Sequence, residues 1–138
     1  MTAGPQPAPS DAERGLLDTS VVIAQERGRR LGDLPAAAAV SVVTVAELHL
    51  GVLMADDSAV RSRRLRTLAS VEALFEPLQI DADVARTFAA LVAESRRTGR
   101  RPKLMDTWIA ATAVAHGLPV YTQDEDFFAI PRVVVVRI

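Results

Sequence analysis

Six carboxylates stand where chemistry could be done with them: Asp18, Glu47, Asp106, Asp124, Glu125 and Asp126. Asp18 closes the apolar run of "GLLDTS", and Glu47 lies just beyond the apolar run "AAAAVSVVT". Asp106 opens "LMDTWIAATAVAHG", and the last three acids follow "LPVYT" after a single glutamine, in "TQDEDFF". Carboxylates that converge on one pocket cannot all stay ionised without a counter-charge. The common solution is a hard divalent cation, Mg2+ or Mn2+, held by carboxylates and water. Such a cation can deprotonate water and neutralise charge growing on a phosphate.

Convergence depends on the elements that carry these residues. "GLLDTSVVIAQE" reads as a strand ending at Asp18 and then a helix. "AAAAVSVVT" is apolar on consecutive residues and reads as a strand buried on both faces. Thr44 and Glu47 give the T-x-x-E pattern of a helix start, with the helix running into "LHLGVLM". Val60, Leu65, Leu68, Val71 and Leu74 recur at helical spacing, with Asp57 or Ser58 as the cap. "FEPLQI" reads as a short strand, and Pro77 suggests an edge position. "DADVARTFAALVAESRRTG" predicts a helix capped by Asp81 and ended by Gly99, and "LMDTWIAATAVAHG" one stopped at Gly117. "LPVYT" and "RVVVVRI" predict strands. Alternating strands and helices predict an α/β fold with a mainly parallel central sheet flanked by helices on both faces. Ligands of such sheets bind beyond the carboxyl ends of the strands. Asp18, Glu47, Asp124 and Asp126 all fall near that edge; the place of Asp106 does not follow from topology.

Each acid also has a plain structural role. Asp18 could be a turn or cap residue, Glu47 could close a capping box, Asp106 could cap its own helix, and "TQDEDF" could be an exposed turn. Four separate caps do not explain why the acids gather at one edge. His49 and His116 have no second ligand at metal spacing, which favours surface roles. Trp108 and Ile109 are expected in the core. Phe127 and Phe128 are expected to seal the last loop and so aim Asp124 and Asp126 inward.

The 138 residues suit one core, and 49% of them are apolar. No apolar run approaches the roughly 20 residues that span a bilayer. The start, "MTAGPQPAPSDAERG", lacks a basic region followed by an apolar stretch, so no secretory signal is expected there. Residues 1–14 are expected to form a flexible tail and 15–138 the domain. With no cysteine, disulfides and thiolate metal sites are excluded, which fits a cytoplasmic protein. The net charge of −1 conceals two basic runs: Arg61, Arg63, Arg64 and Arg66, then Arg96, Arg97, Arg100, Arg101 and Lys103. The second lies just before Asp106. A basic rim around an acidic centre suits a metal nuclease, because phosphate contacts position the strand. A solvated helix face is the plainer reading of either run.

In order and spacing, "LLDTS", "TVAELHLGV" and "LMDTWIAATAVAHGLPVYTQDEDF" resemble a PIN domain, and most of all the VapC toxins of bacterial toxin–antitoxin (VapBC) pairs. The resemblance covers residues 15–138. It implies an Mg2+-dependent endoribonuclease, with Mn2+ as the other candidate, whose acids match Asp18, Glu47, Asp106 and both Asp124 and Asp126. Asp18, Asp106 and one or both of the last two would hold the metal, with Glu47 orienting or deprotonating the attacking water. Thr19 or Ser20 matches a supporting hydroxyl, and Glu125 is the least matched acid. The products implied are a 5′-phosphate and a 3′-hydroxyl. A VapB-type antitoxin and a homodimer within the toxin–antitoxin complex are the implied protein partners, with translation and growth inhibited by the free toxin. The chain itself has no recognisable DNA-binding motif.

Two other readings stay open on the residues alone. One is a PIN-like RNA-binding module without catalysis; the other is a DNA-cleaving nuclease of related fold. A phosphorylation receiver fits poorly, because the single lysine, Lys103, lies in a loop rather than at a strand end. A phosphatase with an aspartate nucleophile would want D-x-D where this chain has "DTS".

Overall fold

The structure, a computed structural model, describes residues 13–138. Of the expected tail, residues 1–12 lie outside the described residues, and the first strand, β1 (Arg14–Leu17), already includes Arg14. β1 lies inside a four-stranded sheet, between β2 (Ala37–Ala39) and β3 (Val120–Thr122), with β4 (Val135–Arg137) at the far edge. Every pairing is parallel, as the alternation of elements requires.

Neighbouring residues of a strand face opposite sides of the sheet, and here they feed two separate cores. Leu17 and Tyr121 enter one, closed by α1 (Thr19–Glu26), α2 (Val42–Leu53) and α3 (Ser58–Leu74) through Val21, Leu48 and Leu68. Leu16 and Val120 enter the other, closed by α4 (Ala82–Arg97) and α5 (Leu104–Ala115) through Leu91 and Ile109. Trp108, partly buried, stacks on Phe88 with ring centroids 3.6 Å apart. The expected caps form: the Asp57 and Asp81 carboxylates accept from the Val60 and Val84 amides at 2.8 and 2.9 Å. Gly99 and Gly117, at φ 75° and 66°, end α4 and α5 in the left-handed conformation.

Three local expectations are corrected. The "AAAAVSVVT" strand is not buried on both faces: it shrinks to β2, an edge strand whose Ala37 and Ala38 are exposed. With no strand on its outer side, β2 itself holds no buried residue, and burial begins only at Val40 beyond it. "FEPLQI" contributes no strand, only a bridge in which the Leu78 amide donates to Val40 and its carbonyl accepts from Val42. Pro77 beside it has no N–H to extend the pairing. Finally, α2 does not begin at Thr44. Its cap is Ser41, whose hydroxyl accepts from the Thr44 amide at 3.2 Å. Thr44 is thus a buried residue of the first turn, and Glu47 is released from any capping box.

Candidate active site

β1 and β3 are neighbours, so their carboxyl ends meet. Asp18 follows β1, and its amide donates to the Tyr121 carbonyl at 2.9 Å, continuing the ladder by one residue. Its side chain is almost fully buried and caps α1. Oδ2 accepts from the Ser20 hydroxyl at 2.7 Å and from the Thr122 hydroxyl at 2.9 Å. Among the described residues Oδ1 has no protein donor, so the protein holds this carboxylate by one oxygen.

The two hydroxyls that follow Asp18 divide the work. Ser20 supports Asp18 and also accepts the Gln123 amide at 3.1 Å. Thr19 donates to Glu47 Oε1 at 2.8 Å and meets the Thr44 hydroxyl at 2.9 Å. Half-burial raises the pKa of Glu47 and nearby Asp18 adds to that, while the Thr19 hydrogen bond works against it.

Asp106 is the acid whose place topology left open. It lies in the first turn of α5, where the helix dipole favours an acid. It does not cap that helix: the capping position is Lys103, which makes no side-chain capping bond. The packing of α5 under the sheet edge instead brings ligand oxygens of Asp106, Asp124 and Asp126 within 4.8 Å of one another. Asp106 Oδ2 is buried without a hydrogen-bond partner, one of two such side-chain atoms among the described residues. Desolvation, then the charges of Asp18 and Asp124, push its pKa from 3.8 up to about 6, against the pull of Lys103.

Asp124 caps a short 3-10 helix, Glu125–Ala129, by accepting from the Asp126 amide at 2.9 Å. Its own amide donates to the Thr122 hydroxyl at 2.9 Å. Asp126 carries the local counter-charge, with Lys103 Nζ at 3.2 Å, and this contact raises the lysine's pKa. Glu125 points away and pairs with Arg137. The expectation that both phenylalanines seal the loop fails for one of them. Phe127 is fully buried, while Phe128 is 59% exposed. A 3-10 helix turns about 120° per residue, so neighbours cannot both face inward.

The basic runs separate as well. Arg61 and Arg64 donate to the carbonyls of Ala55 and Gly51, and Arg63 pairs with Glu26, so most of the first run ties α3 to its neighbours. Of the second run, Arg96, Arg97, Arg100 and Arg101 are exposed and have no carboxylate partner among the described residues. His49 pairs with Glu72 at 3.0 Å, and His116 is exposed at the end of α5. Sequence reasoning missed Thr44 and Thr122. The available signal was a hydroxyl residue ending the apolar strand "PVYT" one residue short of the acids.

Fold and site together define a parallel α/β domain with a carboxylate cluster at the carboxyl edge of its sheet. The chain belongs to the PIN-domain family, whose pattern matches residues 15–133, and within it to the VapC ribonucleases. It is 48% identical to Ribonuclease VapC5 of Mycobacterium tuberculosis over 126 residues, 90% of this chain and 93% of that one. It is 45% identical to Ribonuclease VapC4 of the same organism, over 93% of this chain and 99% of that one. The crystal structure of VapBC-5, a toxin–antitoxin system of M. tuberculosis, superposes with a TM-score of 0.80 at 44% identity, covering 91% of this chain and 98% of that one.

Proposed function

We propose that this protein is a divalent-metal-dependent endoribonuclease, the toxin of a VapBC-type pair. The observation that carries this reading is the convergence of Asp106, Asp124 and Asp126 beside Asp18, with an Asp106 oxygen buried and unsatisfied. An all-oxygen anionic donor set of this kind fits a hard cation, Mg2+ or Mn2+. Asp18, Asp106, Asp124 and Asp126 would hold it, and when bound it supplies acidification of water and neutralisation of phosphate charge. The names of the VapC relatives support RNA as the substrate, and the VapBC-5 toxin–antitoxin structure supports a VapB-type antitoxin as partner.

The residues then have distinct tasks. Ser20 and Thr122 fix Asp18 so that one oxygen stays directed at the site. Thr19 fixes Glu47, which accepts the proton of the attacking water; its raised pKa brings it nearer to that task. Water oxygen bonds to phosphorus and the P–O3′ bond breaks, leaving a 5′-phosphate and a 3′-hydroxyl. Lys103, paired with Asp126, offers positive charge to the incoming backbone. Arg96, Arg97, Arg100 and Arg101 extend that charge along the rim.

The test is incubation of the purified, antitoxin-free chain with a mixed cellular RNA pool, with Mg2+ or with EDTA, beside Asp18→Asn. Discrete fragments that need Mg2+ and vanish in the variant are expected. RNA left intact, or cut equally well in EDTA, would overturn the reading; single-stranded DNA cut in its place would favour the related DNA nuclease.

A further inference from the structure

The exposed ring of Phe128 does not stand alone. It opens onto a surface cleft of about 470 Å³ lined by Arg97, Thr98, Arg100 and Pro131, with Glu94 also lining it. Glu94 is already paired with Arg132, whereas Arg97 and Arg100 have no acid of their own among the described residues. The cleft is therefore aromatic on one side and positively charged on the other.

It also connects to the acidic site. The segment between α4 and α5 runs beside the 3-10 helix and touches it twice: Lys103 at Asp126 at 3.2 Å, and Arg100 at the Ala129 carbonyl at 3.4 Å. Phe128 is two residues from Asp126 and four from Asp124. At a rise of about 2 Å per residue the ring's backbone is roughly 8 Å along the helix from Asp124. A positively charged strip thus leads from the acidic cluster to an exposed aromatic face.

We infer that Phe128 is the stacking platform for an unpaired nucleobase flanking the scissile phosphate, with Arg97 and Arg100 holding the adjoining backbone. This rests on the nuclease reading and adds where the single strand lies. Of the two phenylalanines only Phe127 belongs to the core, which leaves the Phe128 ring available at the surface. Every base offers a π-face, so such a platform binds single strands with little base preference, and it rejects duplexes whose bases are already stacked.

The probe is a short fluorescein-labelled oligouridylate, with a second set carrying one abasic site walked along it. Binding is measured with the full chain in an Asp18→Asn background, so that the probe is not cut. Phe128→Ala should weaken binding about 5- to 150-fold, the range of a lost base–aromatic stack, and Phe128→Trp should retain it. In the Phe128 protein an abasic site at one position should cause a similar loss, and in Phe128→Ala it should add nothing. The abasic series needs no variant at Phe128 to fold. Unchanged affinity in Phe128→Ala, or no positional effect of the abasic site, overturns the inference. Unchanged RNA affinity with a weakened homodimer or antitoxin complex also overturns it and makes the ring a protein contact. If the Asp18 chain cleaves RNA while these results appear, the subsite falls and the nuclease stands. If that chain does not cleave, the nuclease reading falls, and the abasic series still decides the stack.

Discussion

The Thr122 hydroxyl donates to Asp18 Oδ2 at 2.9 Å, joining the ends of two adjacent strands across 104 residues of sequence. The same hydroxyl accepts from the Asp124 amide, also at 2.9 Å. One fully buried side chain thus orients an acid on each side of the site. Thr122→Val keeps the shape and removes both bonds. The expected result is a folded protein less stable by about 1–3 kcal/mol, the usual result of unpairing buried polar groups, with a larger proportional loss of cleavage. Denaturant melts and kcat/KM read the two effects separately. Full activity in Thr122→Val would remove Thr122 from the positioning role.

Glu47 is held by Thr19 rather than spent on a helix cap. Glu47→Gln keeps an oxygen for that hydroxyl and loses the base. Cleavage should fall about 10²- to 10⁴-fold in kcat, the range for removing a general base, with little change in RNA affinity. Activity of the parent should rise with pH through the raised pKa of Glu47, because only the ionised form accepts a proton. A kcat within a few-fold of the parent would assign the water to another group.

Asp106 makes a prediction about stability. Its folded-state pKa is about 6 and its ordinary value 3.8, so the folded chain keeps a proton that the unfolded chain has lost. Without a cation, stability from this residue is present below about pH 4 and is lost as the pH rises through about 6. Asp106→Asn escapes the loss. In EDTA at about pH 7.5 it should melt on the order of a few degrees above the parent, with the difference closing towards pH 4. Adding Mg2+ should narrow the gap by raising the parent alone. Equal melting points across the range in EDTA would show that the carboxylate is not under strain.

Arg100 and Arg101 are exposed and have no acidic partner among the described residues. Replacing both by alanine should weaken RNA binding and lower the slope of log K against log salt by roughly 1.4, from about 0.7 per lost phosphate contact on single strands. Binding at low salt that matches the parent would place the RNA elsewhere.

Much of this was legible in the sequence. Asp18 could be placed at the edge because a strand's end is a local signal, and Asp124 and Asp126 because they follow the next apolar run. The parallel α/β class followed from alternating elements. Burial of β2 was misjudged because a continuous apolar run marks a central strand only if neighbours lie on both sides, and strand order is not a local property. The start of α2 was misread because Ser41 and Thr44 are both capping residues, and only the accepted Thr44 amide distinguishes them.

By itself the sequence determined which residue types could bind a cation and on which kinds of element they sit, since periodicity and capping act over a few residues. Tertiary structure alone decided that Asp106 reaches Asp124, that Thr122 serves Asp18, that Lys103 faces Asp126, and that Phe127 turns in while Phe128 turns out. These outcomes depend on how α5 and the last loop pack against the sheet edge. Contacts between residues far apart in the chain are set by the whole packed core, which no short stretch of sequence encodes.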